Sequence, residues 1–131
     1  MADHFLAPLI GTRKPARLVN VTQEIVLATE VEPAFDSATR NRGLLGRDSF
    51  PASAALILAP CNSIHMFRMR FAIDVLFVDR AGLVVKKVVG LQRNRIAMAW
   101  RAFATIEFAA DHPGVGRTKV GDTVALVEAI S

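Results

Sequence analysis

The chain has 131 residues, 52% hydrophobic and 21% charged, with sixteen Lys and Arg against twelve Asp and Glu for a formal net charge of +4. That length and apolar content predict one domain with a core that needs neither disulfide nor metal. A single cysteine, Cys61, excludes an internal disulfide, and no apolar run approaches the roughly 18 residues a membrane helix requires.

Residues 1–15 predict a flexible N-terminal arm and residues 16–131 a single β-rich domain. In the arm, Asp3 and Pro8 interrupt the apolar stretch and the basic residues follow it, the wrong order for a signal peptide. With the lone thiol, which fits a reducing compartment, this predicts a soluble, cytoplasmic protein. "RLVNVTQEIVLATEVE" is rich in β-branched residues and predicts extended structure ending at Pro33. Asp36 or Ser37 caps a helix from about Ala38 to Leu45, with Gly46 as its left-handed end, so one short helix is expected near residues 37–46.

"ALILAP" reads as a buried strand, and "IHMFRMRFAIDVLFVD" alternates. If that strand runs straight, His65, Phe67, Met69, Phe71, Ile73, Val75 and Phe77 share one side, with Arg68, Arg70, Ala72 and Asp74 on the other; a bend near Phe71 breaks the assignment. Residues 73–78 and 83–88 predict an antiparallel hairpin turning at Asp79 to Gly82. "TIEFAA", "TKV" and "TVALVEAI" are further strands, separated by the turns "DHPG" and "VGDT". The expected fold is mainly β, a compact single-domain sandwich or barrel of short antiparallel strands with that one helix.

Three blocks, "RNRGLLGRDSF", "CNSIHMFRMRFAIDVLFVDRAGLVV" and "GRTKVGDTVAL", resemble in order and separation the bacterial and archaeal family called domain of unknown function 192. The resemblance covers roughly residues 20–128 and implies a compact β-rich domain with no established activity. Ala72 stands where relatives often have a proline, so the local bend is less fixed here.

Twelve of the sixteen cations are Arg, a residue suited to bidentate recognition of carboxylate or phosphate. Arg42 and Arg47 bracket "GLLG", where they either meet an anion or, for Arg47, cap helix carbonyls. Asp74, alone in an apolar run, is either a reactive carboxyl or pocket anchor, or one half of an ion pair with Lys86, Lys87, Arg42 or Arg70. Cys61 and His65 lie about 13 Å apart along a straight strand at ~3.3 Å per residue, which argues against a nucleophile and base. Cys61 then reads as a structural thiol and His65 as a core histidine.

His4, His65 and His112 are scattered, and no metal or cofactor set emerges. Phe67 to Phe71 interleaved with Arg68 and Arg70 imitates a nucleic-acid platform, but alternate apolar positions describe a core face, so nucleic acid is disfavoured as a partner. The expected function is a binding module whose Arg-rich polar face (Arg42, Arg70) and buried Asp74 hold a small polar or anionic ligand or a protein partner, with Arg47 and His65 as further candidate binding residues. The alternative is a hydrolase-like enzyme using Asp74 and His65 as general acid and base. The missing nucleophile set favours binding. No membrane partner is expected, and the oligomeric state is open.

Overall fold

A computed structural model describes residues 4–9 and 16–128 of the chain. Its centre is a five-stranded sheet. In chain order the strands are β1 (Ala16–Asn20), β2 (Ile25–Ala28), β3 (Glu30–Ala34), β4 (Ala54–Leu58), β5 (Ser63–His65), β6 (Ile73–Val78), β7 (Val84–Leu91), β8 (Ile96–Met98), β9 (Ala104–Ala109) and β10 (Val124–Glu128). The central sheet runs β3-β4-β9-β6-β7, a three-stranded sheet runs β10-β1-β2, and β5 pairs with β8 as a separate ribbon. The pairs are antiparallel except β3 with β4, which are parallel. Among the described residues no barrel closes; the molecule is mainly β and sandwich-like.

Strands β4, β6 and β9 are buried along nearly their whole length because both faces of the central sheet are covered, which is why "AALIL" and "IDVLFV" read as near-continuous apolar runs. One face, carrying Ile57, Leu76, Ile106 and Phe108, packs on Leu18, Leu27 and Leu126 of the three-stranded sheet. The other face, carrying Leu56, Leu58, Val75 and Phe77, packs under Leu44, Phe50, Met66 and Met69. Within the described part of the expected arm, Leu6 is buried in the first of these cores and the Phe5 amide donates to the Arg80 carbonyl at 2.7 Å.

The predicted hairpin is present. Asp79 Oδ1 accepts from the amides of Ala81 and Leu83, and Gly82 sits at φ +89°. A Cβ on Gly82 would clash with the Val124 carbonyl oxygen, so this position requires glycine for space as well as for φ.

Three expectations are corrected. The stretch 65–77 is not one strand: β5 stops at His65, Arg68 takes a left-handed φ of +66°, and β6 starts only at Ile73. The register therefore slips, leaving His65 and Phe67 exposed while Met66 goes inside; Met69 is buried as expected. The first helix, α1 (Ser37–Arg42), is capped by Asp36 as expected, with Oδ1 accepting from the Thr39 amide at 2.8 Å. It ends at Gly43 rather than Gly46, because Leu44 turns down into the core.

A second helix, α2 (Pro113–Arg117), stands where a plain turn and a "TKV" strand were expected. His112 is its N-cap: Nδ1 accepts from the Val115 amide, and Nε2 bonds the Leu27 carbonyl oxygen at 2.8 Å. Lys87 closes the other end, donating to the carbonyls of Val115, Gly116 and Thr118. Among the described residues no helix is long and apolar enough to cross a membrane.

Candidate functional site

Asp74 is fully buried on β6, as expected for a carboxyl in an apolar strand, but none of the four candidate cations reaches it. Its Oδ1 accepts from the Gly90 amide at 2.8 Å, and its Oδ2 from the His112 amide at 2.9 Å. Both donors are backbone groups where the chain departs from regular pairing. The β6–β7 register shifts between Ile73 and Val75, Gly90 sits at φ +65°, and Asp111, just before the α2 cap, at φ +61°. Such irregularities leave amides without ladder partners, and one carboxylate satisfies two of them. The expected cations are engaged elsewhere: Lys86 on the Met98 carbonyl, Lys87 on α2, and Arg70 on Asp48 at the surface. Arg42 is exposed on the far side of the sheet.

Side chains alternate along β9, so Thr105 and Glu107 point to the face opposite Asp74. Glu107 lies in the middle of the central sheet, paired with Leu56 on one side and Val75 on the other. It forms the floor of a cleft of about 330 Å³. One wall is the C-terminal part of α1 with its following turn, contributing Arg40, Asn41, Arg42 and Leu44. The other is the segment after β4 together with β5, contributing Cys61, Asn62, Ser63 and His65. Arg40 braces the two walls, donating to the Phe35 carbonyl at 2.9 Å and the Ala59 carbonyl at 3.4 Å. The Thr105 hydroxyl holds the Cys61 carbonyl at 3.0 Å.

Burial pushes the Glu107 carboxyl up to about 7, against the opposing pull of the Arg47 charge. Arg47 does not bond Glu107. Its guanidinium forks onto Glu32 at 2.9 and 3.1 Å, a hydrogen-bonded pair that raises its own pKa, and it lies over the Phe50 ring. Among the described residues burial and the Arg47 charge are what act on the Glu107 carboxyl, with no hydrogen bond to it, and it opens onto the cleft. A carboxyl poised near neutrality donates when protonated and accepts when ionised, so the floor of the cleft serves either kind of ligand group.

Of the sequence candidates, Arg42 and His65 therefore meet in the cleft, while Arg47, Arg70 and Asp74 lie outside its lining. Cys61 is half-buried in the wall, its thiol donating to the Ser63 carbonyl at 3.2 Å. Glu107 was missed, although its signal in "ATIEFA" is the same as that of Asp74, an acid inside a buried apolar strand. Among the described residues no group of three or more His, Cys, Asp or Glu side chains is placed to hold a metal ion.

A sandwich-like β domain with a carboxyl-floored, arginine-rimmed cleft is the class that fold and site define. The chain belongs to the domain of unknown function 192 family, described as "Uncharacterized ACR", whose profile matches residues 18–126. Among curated proteins none matches it. A protein of unknown function from Novosphingobium aromaticivorans shares the fold with a TM-score of 0.70 at 20% identity, over 84% of this chain and 82% of that one. A protein from Sinorhizobium meliloti, described as a candidate transcription regulator, aligns with a TM-score of 0.73 at 17% identity, over 86% and 92%.

Proposed function

We propose that this protein is a binding module and that the cleft over Glu107 takes a small polar ligand carrying an anionic group. The observation that supports this reading is the buried Glu107 carboxyl at the cleft floor without a bonding partner among the described residues. Burying such a group is unfavourable, and a domain of marginal stability retains it where a ligand supplies the missing partner. The ligand's anion meets Arg42 at the rim, and a hydrogen-bonding group reaches the floor. The protein works in the cytoplasm, where its single thiol stays reduced.

A hydrolase reading draws on the same carboxyl, since a group titrating near neutrality suits proton transfer. Glu107 would then replace Asp74 as the acid or base beside His65. Binding is favoured because the one thiol in the cleft is bonded to a carbonyl oxygen rather than to a base.

A thermal-shift screen of small carboxylates, phosphates and their amino and hydroxy derivatives tests the reading. A ligand that stabilises the parent protein should bind Arg42→Ala at least about tenfold more weakly, the loss expected for one charge-assisted contact. It should bind Arg70→Ala unchanged, since Arg70 pairs with Asp48 outside the cleft. Equal binding by the parent and by Arg42→Ala and Glu107→Gln would place the ligand elsewhere and defeat the proposal.

A further inference from the structure

We propose that the outer face of the β5–β8 ribbon and its flanking loops bind single-stranded nucleic acid. In the ribbon Ser63 pairs with Met98, Ile64 with Ala97 and His65 with Ile96. Ile64 and Ala97 turn into the core, so the other four residues present one solvent-facing surface. The His65 and Phe67 rings stack with centroids 4.9 Å apart, and Phe67 remains 45% exposed. Two residues beyond Met98, the sole tryptophan, Trp100, is 88% exposed. A surface this apolar is unusual for a side of the molecule that covers nothing.

Along the segments that build it the charge has one sign. Arg68, Arg93, Arg95 and Arg101 are all exposed, and the Lys86 ammonium sits on the Met98 carbonyl at 2.8 Å. No Asp or Glu occurs between residues 80 and 106. A polyanion complements such a surface, and the placement of the rings favours nucleic acid over a lipid surface or an acidic peptide. Phe67 and Trp100 each have an arginine as the next residue, so flat faces for bases alternate with cations for phosphates. A lipid anchor instead gathers its apolar residues at a tip, with the cations set behind. The sequence argument against nucleic acid rested on Phe67 facing the core, and Phe67 faces solvent. The contacts are to base faces and phosphates, which DNA and RNA share. The surface adjoins the cleft only through Ser63 and His65, and its occupancy does not depend on Glu107.

Titration of the full chain with an oligothymidine of about 12 nucleotides at low salt, read by Trp100 fluorescence and by anisotropy of the labelled strand, tests the proposal. The expected result is quenching with a micromolar Kd that weakens with salt, at a log–log slope of about −2 to −3 for three or four phosphates. Trp100→Ala should weaken binding about tenfold or more without altering the melting temperature, since its side chain is already exposed. The Arg95→Ala, Arg101→Ala double variant should weaken it and reduce the slope by about 1.4, and Glu107→Gln should bind as the parent does. No binding at about 50 µM protein would overturn the proposal. So would binding indifferent to Trp100, equally tight binding of a duplex, or binding of phosphatidylserine vesicles without binding of the oligonucleotide.

Discussion

Asp74→Ala unfolds about 10 °C or more below the parent protein, the largest loss expected for any single side chain outside the apolar core. The reason is the pair of amides it serves. Removing the carboxylate strands the Gly90 amide and the buried His112 amide together. Hydrogen bonds to a charged acceptor are each worth about 1.5–3 kcal/mol, so the expected cost is about 3–5 kcal/mol. In a domain of this size each kcal/mol moves the melting temperature by roughly 3–5 °C. Asp74→Asn is no rescue, because its Nδ2 would face one of the two donors. Melting followed by circular dichroism checks this, and a change within about 2 °C would mean that the two amides find other acceptors. The same substitution should leave ligand affinity at the cleft unchanged, because Asp74 lies on the opposite face of the sheet from Glu107.

Glu107→Gln has the opposite sign and depends on pH. The folded carboxyl titrates at about 7, above the ordinary 4.5, so between these values the native state holds a proton that the unfolded chain has lost. Stability from this group is complete below pH 4.5, declines as pH rises, and is gone above about 7. At 1.36 kcal/mol per pKa unit, the wild type loses about 3 kcal/mol across that window through Glu107 alone. Glutamine carries no titrating proton. Glu107→Gln should therefore melt close to the parent near pH 4.5 and about 10 °C above it at pH 8. A melting difference that does not change between those pH values would show that the carboxyl is solvated in the folded protein. A substitution that stabilises the fold while weakening ligand binding is the signature of a group kept for function.

Much of the architecture was legible because it follows from local rules. The Asp79 to Gly82 turn, the Asp36 cap and the buried runs of β4 and β6 each combine a turn or capping residue with a periodicity. What escaped depended on events at single residues. Arg68 adopts a left-handed conformation that no residue type announces and the strand is broken there, so His65 and Phe67 face solvent and Met66 the core, whereas Met69 stays buried and Arg70 exposed. The α2 helix contains two glycines and a proline in five residues, against helix propensity; it is held by its His112 cap, whose ring is anchored on the distant Leu27 carbonyl, and by Lys87 from β7 at the other end. An acid inside an apolar strand signals burial and a partner, as Asp74 shows, but its partners are the Gly90 and His112 amides, freed by backbone irregularities that the sequence does not announce. Glu107 carries the same signal, yet only the fold shows that its strand is central and that a cleft opens above it.

Carbon-13 titration of the side-chain carboxyls, with Glu107 assigned by its loss in Glu107→Gln, tests the central claim most directly. A buried carboxyl at the cleft floor predicts an inflection near pH 7, moving when a cleft ligand is added. An inflection near 4.5 that no ligand displaces would contradict it.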